Sequence, residues 1–138
     1  MLKSGAPITE MNIVRKHLSR IQGGRLAAAC KAPVTTLIIS DVTGDDPSAI
    51  ASGPTCADAS TYADALAILA RYQIAAPASV LAHLQAGADG LVDETPKPGD
   101  AVFAHVTNSV IATAHESMQA GAEFFRAHQI TPLVLGDT

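Results

Sequence analysis

The sequence contains no tryptophan, and only two tyrosines and three phenylalanines among 138 residues. A core must then be built from Ala, Val, Leu and Ile, the usual filling of layered α/β proteins. The aromatic platforms on which single-stranded nucleic acids stack are missing too. Charge is sparse: 16% of residues are Asp, Glu, Lys or Arg, and the net charge is −4. An acidic chain repels a long polyanion, so nucleic acid is not expected as a partner. No apolar run approaches the ~18 residues that cross a bilayer. The opening MLKSGAPITEMN lacks the apolar stretch and cleavage site of a secretory signal. A cytoplasmic protein with no membrane partner is expected. The two cysteines, Cys30 and Cys56, have no C-x-x-C spacing. Reduced, buried thiols are expected, with a disulfide as the open alternative.

What is present is unevenly distributed. Residues 1–31 hold six of the nine basic side chains (Lys3, Arg15, Lys16, Arg20, Arg25, Lys31) and one acid, Glu10. That segregation fits either an anion-facing patch or a solvated basic helix face. Ile8, Met11, Val14, Leu18 and Ile21 recur at helical spacing, predicting an amphipathic helix from Thr9 to about Arg20 with Thr9 as N-cap. Asn12, Arg15, Lys16 and Ser19 fall together on another face, where a carboxylate or phosphate would find a fork, a point charge, an amide and a hydroxyl. Gly23-Gly24 precede a second helical stretch, Arg25–Ala29. Their amides either bind an anion at a positive helix end or simply make a turn.

The chain is organised around residues 40–55, SDVTGDDPSAIASGPT, which follow the apolar, β-branched run Val34–Ile39. A polar loop at the carboxyl end of a buried parallel strand is where open α/β sheets bind ligands. Asp41 there suits Mg²⁺ or a substrate hydroxyl, with Asp45 and Asp46 as outer contacts. Ser52, Gly53 and Thr55 supply hydroxyls and close backbone approach, or merely turn hydrogen bonds. Thr61-Tyr62-Ala63-Asp64 reads as a capping box opening a helix to Tyr72, with Leu66, Ile68, Leu69 and Tyr72 inward. A second helix led by Pro77 runs from Ala78 to about Ala86 with Val80, Leu81 and Leu84. The pair is expected over the sheet, with Arg71 and His83 at the surface. Residues 87–100 are a predicted loop, in which prolines bracket Lys97 as either an ordered arm or a solvated linker. A second strand is expected at 101–106. Thr107-Asn108-Ser109 would then cap a long helix to about His128 with Ile111, Ala114, Met118, Ala122 and Phe125 inside, leaving Asn108 at the strand's carboxyl end. A third strand is expected at 130–135. The predicted class is α/β, a partial doubly wound, Rossmann-like three-layer sandwich with a mainly parallel sheet.

Five motifs taken together carry a resemblance. Glu10–Ser19 (EMNIVRKHLS), Gly23-Gly24-Arg25-Leu26, Ser40–Asp46, Ile50–Thr55 and Glu94-Thr95-Pro96-Lys97 resemble the type-2 glycerate kinases in order and spacing. Those enzymes end in a MOFRL domain and often carry an older, provisional label of hydroxypyruvate reductase, from tartrate-utilisation operons. The resemblance covers nearly the whole chain. It implies ATP- and Mg²⁺-dependent phosphorylation of D-glycerate to 2-phosphoglycerate, chemistry that is mostly positioning and charge neutralisation.

By that resemblance, Arg15 and Lys16 would face carboxylate or phosphoryl oxygens, with Asn12, Ser19, Gly23, Gly24 and Lys97 beside them. Asp41 would serve Mg²⁺ or the reacting hydroxyl, assisted by Asp45 and Asp46. Ser52, Gly53 and Thr55 would line the same cleft, with Asn108 near the nucleotide. The family's glycine-rich Gly-Gly-Ser loop, its expected active-site lysine and the MOFRL domain have no counterpart in these residues. The chain is therefore expected to be a fragment of the amino-terminal domain, inactive or nearly so alone, with a homodimer or a complementing chain supplying the facing wall. Two rivals stand beside this. An NAD(P)-dependent hydroxypyruvate reductase would need a G-x-G-x-x-G turn, and none occurs. A non-catalytic anion-binding or assembly domain needs only the basic helix face.

Overall fold

The structure is a computed structural model that describes residues 1–136. Five helices and two strands follow in order: α1 (Ile8–Leu18), α2 (Arg25–Ala29), β1 (Val34–Ile39), α3 (Tyr62–Arg71), α4 (Ala78–Ala88), β2 (Val106–Ala112) and α5 (Ala114–Ala127). Short 3-10 turns lie at Ile50–Ser52 and Ala101–Phe103. No helix among the described residues is long and apolar enough to cross a membrane.

The α/β class holds, while the described residues show a two-stranded sheet and not the expected three-layer sandwich. The sheet has two parallel strands, with Val34 opposite Val106, Thr36 opposite Asn108 and Ile39 opposite Ala112 across a register shift. The second strand begins where the sequence predicts one to end. Residues 101–103 coil into a 3-10 turn, and Thr107, Asn108 and Ser109 lie within β2 rather than capping a helix. The cap of α5 is Thr113, whose side chain accepts from the Glu116 amide while Glu116 reaches back to Thr113, a capping box hidden in a stretch assigned to helix interior. Of the inner face expected there, Ala122 is buried, whereas Phe125 is exposed and Ile111 belongs to β2. The expected third strand at 130–135 is irregular, with Leu133 83% exposed.

The core sits elsewhere than expected. Val14 of α1, Tyr62, Ala65, Ile68 and Leu69 of α3, and Leu84 of α4 form one buried cluster. The α3–α4 pair thus packs on α1, not over the sheet. The apolar face of β1 stays open, with Leu37 64% and Ile39 70% exposed. Two local features permit the three-helix packing. The predicted capping box at Thr61 and Asp64 forms and fixes the start of α3. Gly87, inside α4 rather than in a loop, lies against the Tyr62 ring so closely that a Cβ would come within 2.3 Å of it. In α1 the N-cap position is Pro7, not Thr9, and the inward residues are Val14, Lys16 and His17. Ile8, Leu18 and Ile21 are exposed.

Candidate functional site

The 40–55 loop leaves β1 at the buried Ser40, and Asp41 follows as an exposed side chain. The backbone then enters the left-handed region repeatedly: Gly44 (φ 83°), Asp45 (52°), Ala51 (51°), Ser52 (59°) and Gly53 (57°). For non-glycine residues each such conformation costs of order 1 kcal/mol and persists only where the surroundings over-determine it. Here they do. Gly23 and Gly24 donate their amides to the Ser52 and Gly53 carbonyls at 3.0 and 2.8 Å, and Gln22 Nε2 donates to the Ala51 carbonyl at 3.1 Å. The exposed amides expected at Gly23-Gly24 are therefore buried and engaged. At Gly24 a Cβ would fall 2.8 Å from the Phe103 ring and 2.9 Å from the Cys56 carbonyl, so the pair is a close-packed buttress for the loop.

The far end of the loop is pinned to both strands. Thr55 Oγ1 donates to Asn108 Oδ1 at 2.6 Å, Asn108 Nδ2 donates to the Thr55 carbonyl at 3.1 Å, and the Thr36 hydroxyl lies 3.0 Å from that of Thr55. Asn108 thus sits at mid-strand, tying β2 to the loop. One N–H and one lone pair of its side-chain amide make that tie.

At the near end, Asp41, Val42, Thr43, Gly44 and Asp45 meet Ala114 and His115 around a cavity of about 50 Å³. Asp46 turns aside: its carboxylate accepts from the Ser48 amide and hydroxyl at 2.9 and 2.8 Å. Among the described residues no three His, Cys, Asp or Glu side chains converge as a metal site. Asp41 and Asp45 both line this cavity, and Mg²⁺ is commonly held by one or two carboxylates with water and phosphate oxygens completing its shell.

The polar face predicted on α1 is split. Arg15 is exposed and donates to Asn12 Oδ1 at 3.0 Å, while Ser19 caps the helix and accepts from the Ile21 and Gln22 amides. Lys16 points inward, 7% exposed, with Nζ 3.4 Å from Asp58 Oδ1. His17 beside it is fully enclosed: Nδ1 lies 2.8 Å from the Ile13 carbonyl and Nε2 lies 3.0 Å from Glu94 Oε1. Glu94 also accepts from the Tyr62 and Thr95 amides. Lys97 donates to the Ser60 carbonyl and to Thr95 Oγ1. The 94–97 segment is accordingly an ordered arm, clamped onto α1 and the start of α3.

Burial alone would raise the Asp58 carboxyl, but hydrogen bonds from Ser60 and the nearby Lys16 charge outweigh it and hold the group below the ordinary carboxylate range. Glu94 behaves likewise: burial raises it, while the Thr95 and Tyr62 amides with Lys97 and His17 bring it down. The Cys56 thiol is pushed up, chiefly by burial, and both cysteines are free and half-buried rather than disulfide-bonded. Sequence reasoning missed His17 and Asp58 as partners, because their spacing of 41 residues carries no periodic signal. Asp58-Ala59-Ser60, a turn in which Asp58 accepts from the Ser60 amide, was the one local hint.

Comparisons with known proteins locate the chain. A family pattern described as a domain of unknown function, DUF4147, matches residues 1–85. A protein of Agrobacterium vitis, named provisionally as a hydroxypyruvate reductase, is 51% identical over 138 residues, which is 99% of this chain and 30% of that protein. The glycerate 2-kinase of Pyrococcus horikoshii is 44% identical over 144 aligned positions, covering 99% of this chain and 32% of its own length. The crystal structure of the Thermotoga maritima glycerate kinase superposes with a TM-score of 0.72 at 38% identity, over 92% of this chain and 28% of that one. The chain spans about a third of the length of the relatives it matches.

Proposed function

The chain belongs to the DUF4147 family, in the part it shares with glycerate 2-kinases, and from that premise we propose that it forms one wall of an ATP-dependent D-glycerate 2-kinase site. The observation that carries the reading is the 44% identity with the Pyrococcus glycerate 2-kinase across 99% of this chain. The 40–55 loop supports it: its 51–55 end is held by Gly23, Gly24 and Asn108, and Asp41 and Asp45 line a cavity at its other end.

In this reading Asp41 and Asp45 would hold Mg²⁺, which when bound neutralises the charge on the transferring phosphoryl group. Asp46 shapes the loop through Ser48. Arg15, exposed and carrying Asn12 as its hydrogen-bond partner, offers a fork to a carboxylate or phosphoryl oxygen. Lys16, engaged by Asp58, acts through position: it ties α1 to the segment that leads into α3. Gly23, Gly24, Ser52, Gly53, Thr55 and Asn108 hold the loop in shape from behind. Lys97 fastens the arm. Ser19 belongs to a separate cleft considered below.

The test is a comparison of products. A full-length relative carrying this segment should form ADP in proportion to added D-glycerate and should not oxidise NADH with hydroxypyruvate. Asp41→Asn should lower kcat at least ~100-fold, as expected for lost stabilisation of transition-state charge. NADH oxidation without ADP formation would transfer the assignment to a reductase.

A further inference from the structure

A second cleft shares no lining residue with the 41–45 cavity. It has a volume of about 500 Å³, within the range of small-molecule sites. Leu18, Ala28, Ala29 and Val92 give it an apolar wall, and Ser19, Arg20, Arg25 and His83 bring polar groups to it.

Its guanidinium groups are not used up by the protein. Arg25 Nη2 donates to Tyr62 Oη at 2.9 Å and to the Asp93 carbonyl at 3.3 Å, which fixes the fork in place. No protein partner meets Nη1 among the described residues, and Nε is buried without one. Arg20 is exposed and makes no hydrogen bond or ion pair among the described residues. The Ser19 oxygen accepts from two backbone amides, which leaves its own proton to donate. His83 Nε2 lies 3.0 Å from the His17 carbonyl and so donates there, turning Nδ1 elsewhere.

Two acids border the cleft. Glu94 is committed to His17 and to the Tyr62 and Thr95 amides, with Lys97 3.6 Å away. Asp93 meets Arg25 through its carbonyl. The Asp93 carboxylate itself is exposed and uncommitted among the described residues, so two arginines face one free acid and the cleft stays net positive.

We infer that this cleft binds a small organic oxyanion, a phosphate monoester or carboxylate carried on an apolar body, with Arg20 and Arg25 on the anion and the Leu18–Ala28–Ala29–Val92 wall against the body. The inference goes beyond the kinase reading and stands or falls separately from it, because neither Asp41 nor Arg15 takes part.

The experiment is a titration of the isotope-labelled chain, followed by two-dimensional NMR, with phenyl phosphate, benzoate, inorganic phosphate and benzyl alcohol. Phenyl phosphate should shift the amides of Ser19, Arg20, Arg25, His83 and Val92 saturably, ahead of those at 41–46. Benzyl alcohol should not saturate. Benzoate binding as tightly as phenyl phosphate would assign the site to carboxylates, and weaker benzoate binding would assign it to phosphate esters. Arg20→Ala, at an exposed position, should weaken binding about tenfold with the remaining spectrum unchanged. Arg25→Lys should weaken it too, since a point charge cannot replace the fixed fork. Saturable shifts confined to 41–46, no saturation with any anion, or equal affinity in Arg20→Ala and the parent would overturn the inference.

Discussion

Asp58 ties α1 to the segment that leads into α3. It receives Lys16 from α1, the amide and hydroxyl of Ser60, and approaches His17 Nε2 at 4.0 Å. Removing one member of a buried pair leaves the other charge uncompensated, so Asp58→Asn should cost about 3 kcal/mol, read as a lowered denaturation midpoint at neutral pH. The acid side follows from the depressed carboxyl. Its contribution is present above the ordinary aspartate range, near 4 in the unfolded chain, and is lost as pH falls towards the lower folded value. Stability of the parent should therefore drop through that acid window. Asp58→Asn should show a shallower drop, the remainder coming from Glu94, whose carboxyl is held down in the same direction. Equal slopes in parent and variant would contradict the paired-carboxylate account. Gly87 gives a purely steric case. A methyl there meets the Tyr62 ring at 2.3–2.4 Å, so Gly87→Ala should destabilise by about 1–3 kcal/mol despite alanine's better helix propensity.

Two helices in this chain carry the same device with different consequences. Thr61 with Asp64 caps α3, and Thr113 with Glu116 caps α5. Loss of either hydroxyl should cost about 1 kcal/mol locally. Because α3 contributes most of the buried cluster and α5 buries only Ala122, Thr61→Ala should lower the global unfolding midpoint. Thr113→Ala should chiefly speed amide exchange within α5. Equal global losses would mean that α5 is packed more tightly than its burial indicates. The two caps also show what could be read in advance. Thr61-x-x-Asp64 precedes clear helical periodicity, so it announces itself. Thr113-x-x-Glu116 is masked because Val106–Ala112 runs into it without a break, and the apolar residues at 101–106 draw the expected strand five residues early. Strand β1 was legible from its β-branched run, but its open face was not, since exposure depends on which elements cover it. On the site side, the 40–46 loop was visible as a polar interruption. The inward turn of Lys16 was not, because its partner Asp58 lies 42 residues away.

At the scale of the molecule, the packed centre is the α1–α3–α4 cluster, while the sheet shows apolar side chains to the outside and carries the carboxylate loop at its rim. The chain corresponds to about a third of the Pyrococcus and Thermotoga glycerate 2-kinases it matches. We therefore expect the 138-residue chain by itself to form no ADP in response to glycerate, measured by a coupled assay with magnesium and ATP present. The central claim, that this chain's own residues build one wall of a glycerate kinase site, is tested most directly by grafting. Residues 1–138 would replace the matching segment of the Pyrococcus horikoshii glycerate 2-kinase, and glycerate-dependent ADP formation would be measured with and without Asp41→Asn in the graft. The expected result is an active chimera that loses at least ~100-fold in kcat on that substitution. A folded chimera that forms no ADP, or one whose turnover ignores Asp41→Asn, would contradict the claim.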